Sequence, residues 1–162
     1  MQSVAVILAR GGSKGIPRKN LIEIKGKPLI YYSILAAKNA GLDVYVSSEC
    51  NEILDIALKY TAIPFHRDPK FATDVSKSED ALIEFSKSLE NNCNVVFIQP
   101  TSPFINSSYI RKGLDMMNKY DSVLSAYKEH WFPRWTLDAV PIGWDIINRP
   151  RRQDKKEVYV EN

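Results

Sequence analysis

The chain has 162 residues, 44% of them hydrophobic and 25% charged, enough for one domain with a real core and unlike the composition of a disordered chain. Its formal net charge of +3 is too small to indicate a nucleic-acid partner, and no apolar run is long enough to span a membrane. The first apolar run is too short and lacks the basic flank of a secretory signal, and Cys50 and Cys93 are too few and too far apart for a zinc site or a disulfide framework. Buried free thiols and a soluble cytoplasmic protein, or a nuclear one in a eukaryote, are the expectation.

In chain order, the β-branched run at 3–9, SVAVILA, predicts a strand buried on both faces. A helix is predicted at 28–40, with Pro28 in its first turn, Ile30, Ile34 and Ala37 on one face and Gly41 as its stop. DVYVSS at 43–48 is the second strand. A helix at 51–60 places Ile53, Ile56, Ala57 and Tyr60 on one side. AIPFHR at 62–67 carries a proline and reads as an edge or irregular strand. Ser76 and Glu79 form a capping-box pattern ahead of a helix at 76–91, with Ala81, Leu82, Phe85 and Leu89 inward. NVVFIQ at 94–99 is a further apolar strand, residues 107–119 a helix with Ile110, Leu114 and Met117 inward, and DSVLSAYK at 121–128 another strand. From 129 to 162 the periodicity fades into a loop-rich segment. The alternation of strands and helices predicts an α/β domain, three-layer α/β/α, around a mostly parallel sheet. Ligands in such folds bind beyond the C-terminal strand ends, here Ala9–Arg10, Ser47–Glu49 and Gln99–Ser102.

The first of those ends raises a chemical question. Residues 6–20, VILARGGSKGIPRKN, leave a strand and at once place Arg10, Lys14, Arg18 and Lys19 beside Gly11, Gly12 and Gly15. Glycine lets backbone N–H groups approach a ligand closely, and the cations favour an anion. The loop is neither a Walker motif nor a dinucleotide fingerprint; it reads as a polyphosphate site, with a solvated βα loop as the plain alternative. A second basic run, RPRRQDKK at 149–156, either meets the same ligand or is solvated surface. His66 and His130 have no partner at metal-ligand spacing, and Trp131, Trp135 and Trp144 either line a sugar site or pack in a core or interface.

ARGGSKGIPRKN at 9–20 resembles the N-terminal signature of the acylneuraminate cytidylyltransferases, the CMP-sialic acid synthetases and their relatives. RDPKFATDVSKSEDAL at 67–82, QPTSP at 99–103 and RPRRQD followed by YVEN at 149–162 resemble later segments of that family, in the same order. The resemblance implies a nucleotide-diphospho-sugar transferase-like, Rossmann-like fold. It also implies transfer of CMP from CTP to the anomeric hydroxyl of a nonulosonic acid, with pyrophosphate leaving and Mg²⁺ assisting. Carried over by position, Arg10 and Lys19 are the catalytic pair that holds the triphosphate. Gly11, Gly12, Ser13 and Lys14 are further phosphate contacts, and Asn20, Arg67 and Ser78 contact the nucleotide. For Arg67 an ion pair with Asp68 or Asp74 is the competing reading. Gln99, at the end of a buried strand where a polar side chain is otherwise costly, matches a residue that binds the acyl sugar. Thr101 and Ser102 follow it, either as substrate contacts or as a turn. Arg152 and Gln153 match the later substrate segment, where a guanidinium suits a carboxylate.

Two departures stand beside the resemblance. The family commonly has Ser-Thr-Asp after its second strand, where this chain has Ser47, Ser48 and Glu49. Family members also continue past Tyr-x-x-Asn to an Asp-x-Asp-like metal pair, whereas this sequence ends at Asn162; a C-terminally truncated chain with unassigned metal ligands is therefore expected. The resemblance implies a homodimer. A catalytically silent nucleotide-binding homologue, or a transferase for legionaminic, pseudaminic or Kdo-type acids, are the alternatives.

Overall fold

A computed structural model of the chain describes residues 2–89, 93–129, 134–143, 145–148 and 158–161. The chain divides into two compact units, Met1–Lys119 and Tyr120–Asn162.

The first unit is built on four parallel strands, β1 (Ser3–Leu8), β4 (Asp43–Ser48), β5 (Ile63–His66) and β6 (Asn94–Ile98), in the order β5-β4-β1-β6. Between β1 and β4 a short hairpin, β2 (Glu23–Ile24) with β3 (Lys27–Pro28), turns through Lys25 and Gly26 at φ 50° and 74°, a pair of left-handed residues that only a glycine makes inexpensive. The helices are α1 (Leu29–Asn39), α2 (Asn51–Lys59), α3 (Ser78–Ser86) and α4 (Ser107–Met116).

Alternation along β1 decides which helix lies on which face. Ala5, Ile7 and Ala9 pack with Ile30, Ile34 and Ala37 of α1, Ile53 and Ala57 of α2 and Ile110 of α4. Val4 and Val6 point the other way, onto Phe85 of α3. Three layers and a parallel sheet result, as the alternation of elements predicts. Phe85 is fully buried and meets Tyr45 tilted at 5.1 Å and Phe65 edge-on at 5.3 Å. The end of α1 explains its sharp stop. Gly41, at φ 87°, donates to Lys38 O at 2.9 Å, and Leu42 N–H reaches back to Ala37 O at 3.3 Å, which satisfies carbonyls the helix would otherwise leave bare. Arg111 of α4 donates to Asn39 O at 2.6 Å and covers the same terminus.

Several expectations need correction. Ser76 does not cap α3: its hydroxyl donates to Lys70 O at 2.8 Å and pairs with Thr73, Lys77 occupies the capping position, and the helix runs only Ser78–Ser86. Residues 121–125 are not a strand. Ala126–Glu129 (β7) pairs antiparallel with Val158–Glu161 (β10) in the second unit and adds nothing to the parallel sheet. The second unit also contains a two-residue pair, β8 (Arg134–Trp135) with β9 (Pro141–Ile142). β6 is an edge among the described strands, so Val95 is partly exposed, and Gln99 beyond its end is exposed rather than buried. Both cysteines are free but half-buried. β5 is the other edge, as its proline requires. Among the described residues no helix is long and apolar enough to cross a membrane.

Candidate nucleotide site

The strand order reverses at β1. The chain passes from β1 through β4 to β5 on one side, then returns to pair β6 on the other. The loops that leave β1 and β6 therefore diverge, and a cavity of about 310 Å³ opens there. Leu8 and Phe97 form its floor at the ends of β1 and β6, and Arg10, Ser13, Lys19 and Asn20 line it from the glycine loop. Arg67 enters from the end of β5, Thr73, Asp74 and Ser78 from the segment leading into α3, and Gln99 and Thr101 from the end of β6.

Parallel register places the charged groups. Ser48 pairs with His66 at the ends of β4 and β5, so the next residues, Glu49 and Arg67, emerge side by side. Arg67, 5% exposed along its side chain, donates from Nη2 to Glu49 Oε2 at 3.1 Å, and Gly11 N–H donates to Glu49 Oε1 at 2.7 Å. The pairing with Asp68 or Asp74 considered from the sequence is not the one formed: Asp68 pairs with Lys70 at 2.7 Å and Asp74 with Arg10 at 3.0 Å and Lys14 at 2.5 Å. The Lys14 hydrogen bond, with Arg10 adding to it, holds the Asp74 carboxyl below its ordinary value. Lys70 does the same for Asp68, whose carboxylate in turn raises the Lys70 ammonium.

Two residues of the lining each carry a buried polar atom without a protein partner. Asn20, 5% exposed, donates from Nδ2 to Arg10 O at 2.9 Å, yet its Oδ1 accepts nothing. Arg67 spends one amine on Glu49, and its Nε–H has no acceptor. Buried polar atoms are ordinarily satisfied, and these two belong to residues that line the same cavity. Gly11 lies against the end of β4, where a Cβ on it would stand 2.9 Å from Cys50 Cβ; around Gly12 and Gly15 there is open space.

Of the residues singled out from the sequence, Arg10, Ser13, Lys19, Asn20, Arg67, Ser78, Gln99 and Thr101 share this one cavity. Gly11, Gly12 and Lys14 belong to the same loop outside its lining, and Lys14 is largely exposed. Ser102 is also outside: its N–H donates to Gln99 O at 3.1 Å and its carbonyl accepts from Ile105, the turn its sequence context allows. Arg152, Gln153, Trp131, Trp144 and His130 lie outside the described residues. The sequence reading missed Thr73, Asp74 and Ser76 as lining groups. The polar run TDVSKS carried the signal, but a turn and a lining segment have the same composition.

The cationic glycine loop thus lies at the switch point of a parallel α/β sheet, where ligands of such folds bind. Residues 4–158 match the family described as cytidylyltransferase, and the chain belongs to that family. It is 37% identical over 169 residues to N-acylneuraminate cytidylyltransferase A of Danio rerio, an alignment covering 98% of this chain and 39% of the relative. It is 36% identical over 141 residues to the pseudaminic acid cytidylyltransferase of Campylobacter jejuni, covering 82% of this chain and 61% of that protein. In fold it is similar to a CMP:2-keto-3-deoxy-manno-octonic acid synthetase solved with CTP, with a TM-score of 0.72 and 19% identity over all of this chain and 72% of the other. The chain spans about two fifths of the length of the first of these relatives.

Proposed function

We propose that the cavity binds CTP and that the protein transfers CMP to the anomeric hydroxyl of a nonulosonic, sialic-type acid, releasing pyrophosphate. The observation that carries the reading is the convergence of Arg10, Lys19, Asn20, Arg67 and Ser78 on one cavity, in a chain that belongs to the cytidylyltransferase family. Transfer at phosphorus asks for alignment and charge neutralisation more than for a protein nucleophile. Arg10 and Lys19 are the catalytic cations: they hold the triphosphate and stabilise the charge that grows on the departing pyrophosphate. Ser13 and the loop backbone fix the phosphates. Asn20, Arg67 and Ser78, which line the cavity together, hold the nucleoside. Gln99 and Thr101, at the end of β6, are the proposed contacts of the sugar acid; Arg152 and Gln153, which the resemblance assigns to the acceptor, lie outside the described residues. Sialic and pseudaminic acids share the carboxylate and anomeric centre that such contacts would read, and both are named among the relatives.

The described residues assign no ligand to the Mg²⁺ that the family resemblance implies. Among the described residues no three His, Cys, Asp or Glu side chains cluster as a metal site, and Asp74, the carboxylate in the cavity lining, already serves Arg10 and Lys14. Magnesium prefers one or two free carboxylates together with phosphate oxygens, so no step is assigned to it. The reading includes a homodimer; a monomeric mass by light scattering would remove that part alone.

Calorimetry with CTP, ATP and GTP tests the binding step, with a clear preference for CTP expected and equal affinities overturning it. Pyrophosphate release with CTP, Mg²⁺ and N-acetylneuraminate, pseudaminate or Kdo tests the transfer. CTP binding without release on any acceptor would replace this reading with that of a catalytically silent nucleotide-binding protein.

A further inference from the structure

We propose that Glu49 is a positioning residue that aims Arg67 at the nucleoside half of the ligand while tying the glycine loop to the same carboxylate. The inference rests on the CTP reading above and goes beyond it by assigning a group that does not line the cavity.

Three observations carry it. Glu49 uses both oxygens, Oε1 on Gly11 N–H at 2.7 Å and Oε2 on Arg67 Nη2 at 3.1 Å. Both charges are withdrawn from solvent, with the Glu49 side chain 19% exposed and that of Arg67 5%, and a desolvated guanidinium without a counter-charge is strongly disfavoured. Arg67 is also held at its backbone, where its N–H donates to Ser48 O at 3.0 Å. With its main chain held by β4 and its Nη2 held by Glu49, Arg67 is tethered at both ends, and it is one of the residues that line the cavity. The same carboxylate holds Gly11, where the phosphate loop leaves β1. One side chain thus sets the spacing between the phosphate-binding and nucleoside-binding walls.

The two oxygens can be separated by experiment. Glu49→Gln keeps an oxygen acceptor for Gly11 N–H and replaces the charged acceptor facing Arg67 with a neutral amide NH2. Calorimetry is run on the full chain with CTP and, separately, with inorganic tripolyphosphate. The variant is expected to bind CTP about tenfold or more weakly, because truncating one partner of a buried charge pair is costly, and tripolyphosphate within about twofold of the unaltered protein. A general loosening of the fold would weaken both ligands together. Equal losses, no loss, or a loss confined to tripolyphosphate each overturns the assignment. Should Glu49→Gln alone fail to melt cooperatively, the change is made on an Arg67→Gln background, where no buried cation is left unpaired. There it is expected to leave CTP affinity within about twofold of Arg67→Gln alone, and a further drop of about tenfold overturns the proposal. Failure of the unaltered chain to prefer CTP would count against the nucleotide reading itself, so the two failures are distinguishable.

Discussion

A methyl group at Gly11 would stand 2.9 Å from Cys50 Cβ and 3.3 Å from its Sγ, and the Cβ, fixed to the chain at the start of α2, has little room to retreat. Gly11→Ala is therefore expected to destabilise the protein by about 1–3 kcal/mol, the usual cost of overpacking, and to weaken CTP binding by pushing the loop off Glu49. At the next residue of the same loop, Gly12, an added methyl would meet nothing within 4 Å, and Gly12→Ala is expected to stay within about 0.5 kcal/mol of the unaltered protein. Urea denaturation of the two variants measures the contrast, and equal midpoints would mean that the close approach at Gly11 is not real. Arg10 sits between two demands. It donates to Thr73 O at 2.9 Å and pairs with Asp74, so its guanidinium is oriented before any ligand arrives. Arg10→Ala and Lys19→Ala are each expected to raise the Kd for CTP about tenfold or more, since charge-assisted bonds to phosphate are the strong ones; unchanged affinity in both would remove the phosphate assignment.

The segment from Arg67 to Ser78 is fastened at several points. Asp68 Oδ1 caps the short turn Pro69–Phe71 by accepting from Lys70 N–H at 3.0 Å, Ser76 ties the loop to Lys70 and Thr73, and Asp74 clasps Arg10 and Lys14. Asp74 places a carboxylate against cations that the nucleotide reading reserves for phosphate, so the two anions compete. Asp74→Asn is expected to tighten tripolyphosphate binding several-fold, about 3- to 10-fold, at neutral pH. The sign of its pH dependence follows from the lowered carboxyl. A group of that kind clasps fully above the ordinary carboxylate range, near about pH 4, and lets go as the pH falls through its lowered value. The advantage of Asp74→Asn over the unaltered protein is thus expected at pH 7 and to vanish in strong acid; an advantage that grows with acidity would refute the competition. Elsewhere the helices rely on ordinary devices. Asn106 Oδ1 accepts from Ser108 N–H at 2.9 Å at the start of α4, and Asn106→Ala is expected to cost about 1 kcal/mol in thermal unfolding, the worth of such a cap.

At the scale of the molecule, what the sequence disclosed follows from how each feature is encoded. β1, α1, β4 and α2 bury apolar side chains at periods of 2 or 3.6, and those periods are visible in a linear string. The β2–β3 hairpin was not legible, because strands of two residues have no period to read. Residues 121–125 contain Val123 and Leu124 but bury neither deeply, and Ala126–Glu129 is a strand only because Val158–Glu161 lies antiparallel beside it, a pairing no local pattern announces. In the site, Arg10, Lys19 and Asn20 were readable from one contiguous loop. The clasp of Glu49 on Arg67 was not, because it depends on the parallel register Ser48↔His66, which brings residues 18 apart in sequence to neighbouring strand ends. Among the described residues, the groups that line the cavity belong to the unit Met1–Lys119, and that says where nucleotide binding should register. A ligand at 100 times its Kd stabilises the state that binds it by about 2.7 kcal/mol, and openings that expose the site are suppressed to that extent. With saturating CTP, amide hydrogen exchange is expected to slow at residues 8–20, 67–78 and 97–101, and to stay unchanged in β7 and β10, whose pairing belongs to the other unit. Protection spread evenly over both units would mean that CTP acts through global stability alone, whereas protection confined to β7 and β10 would place the nucleotide outside the cavity and end its assignment to the glycine loop.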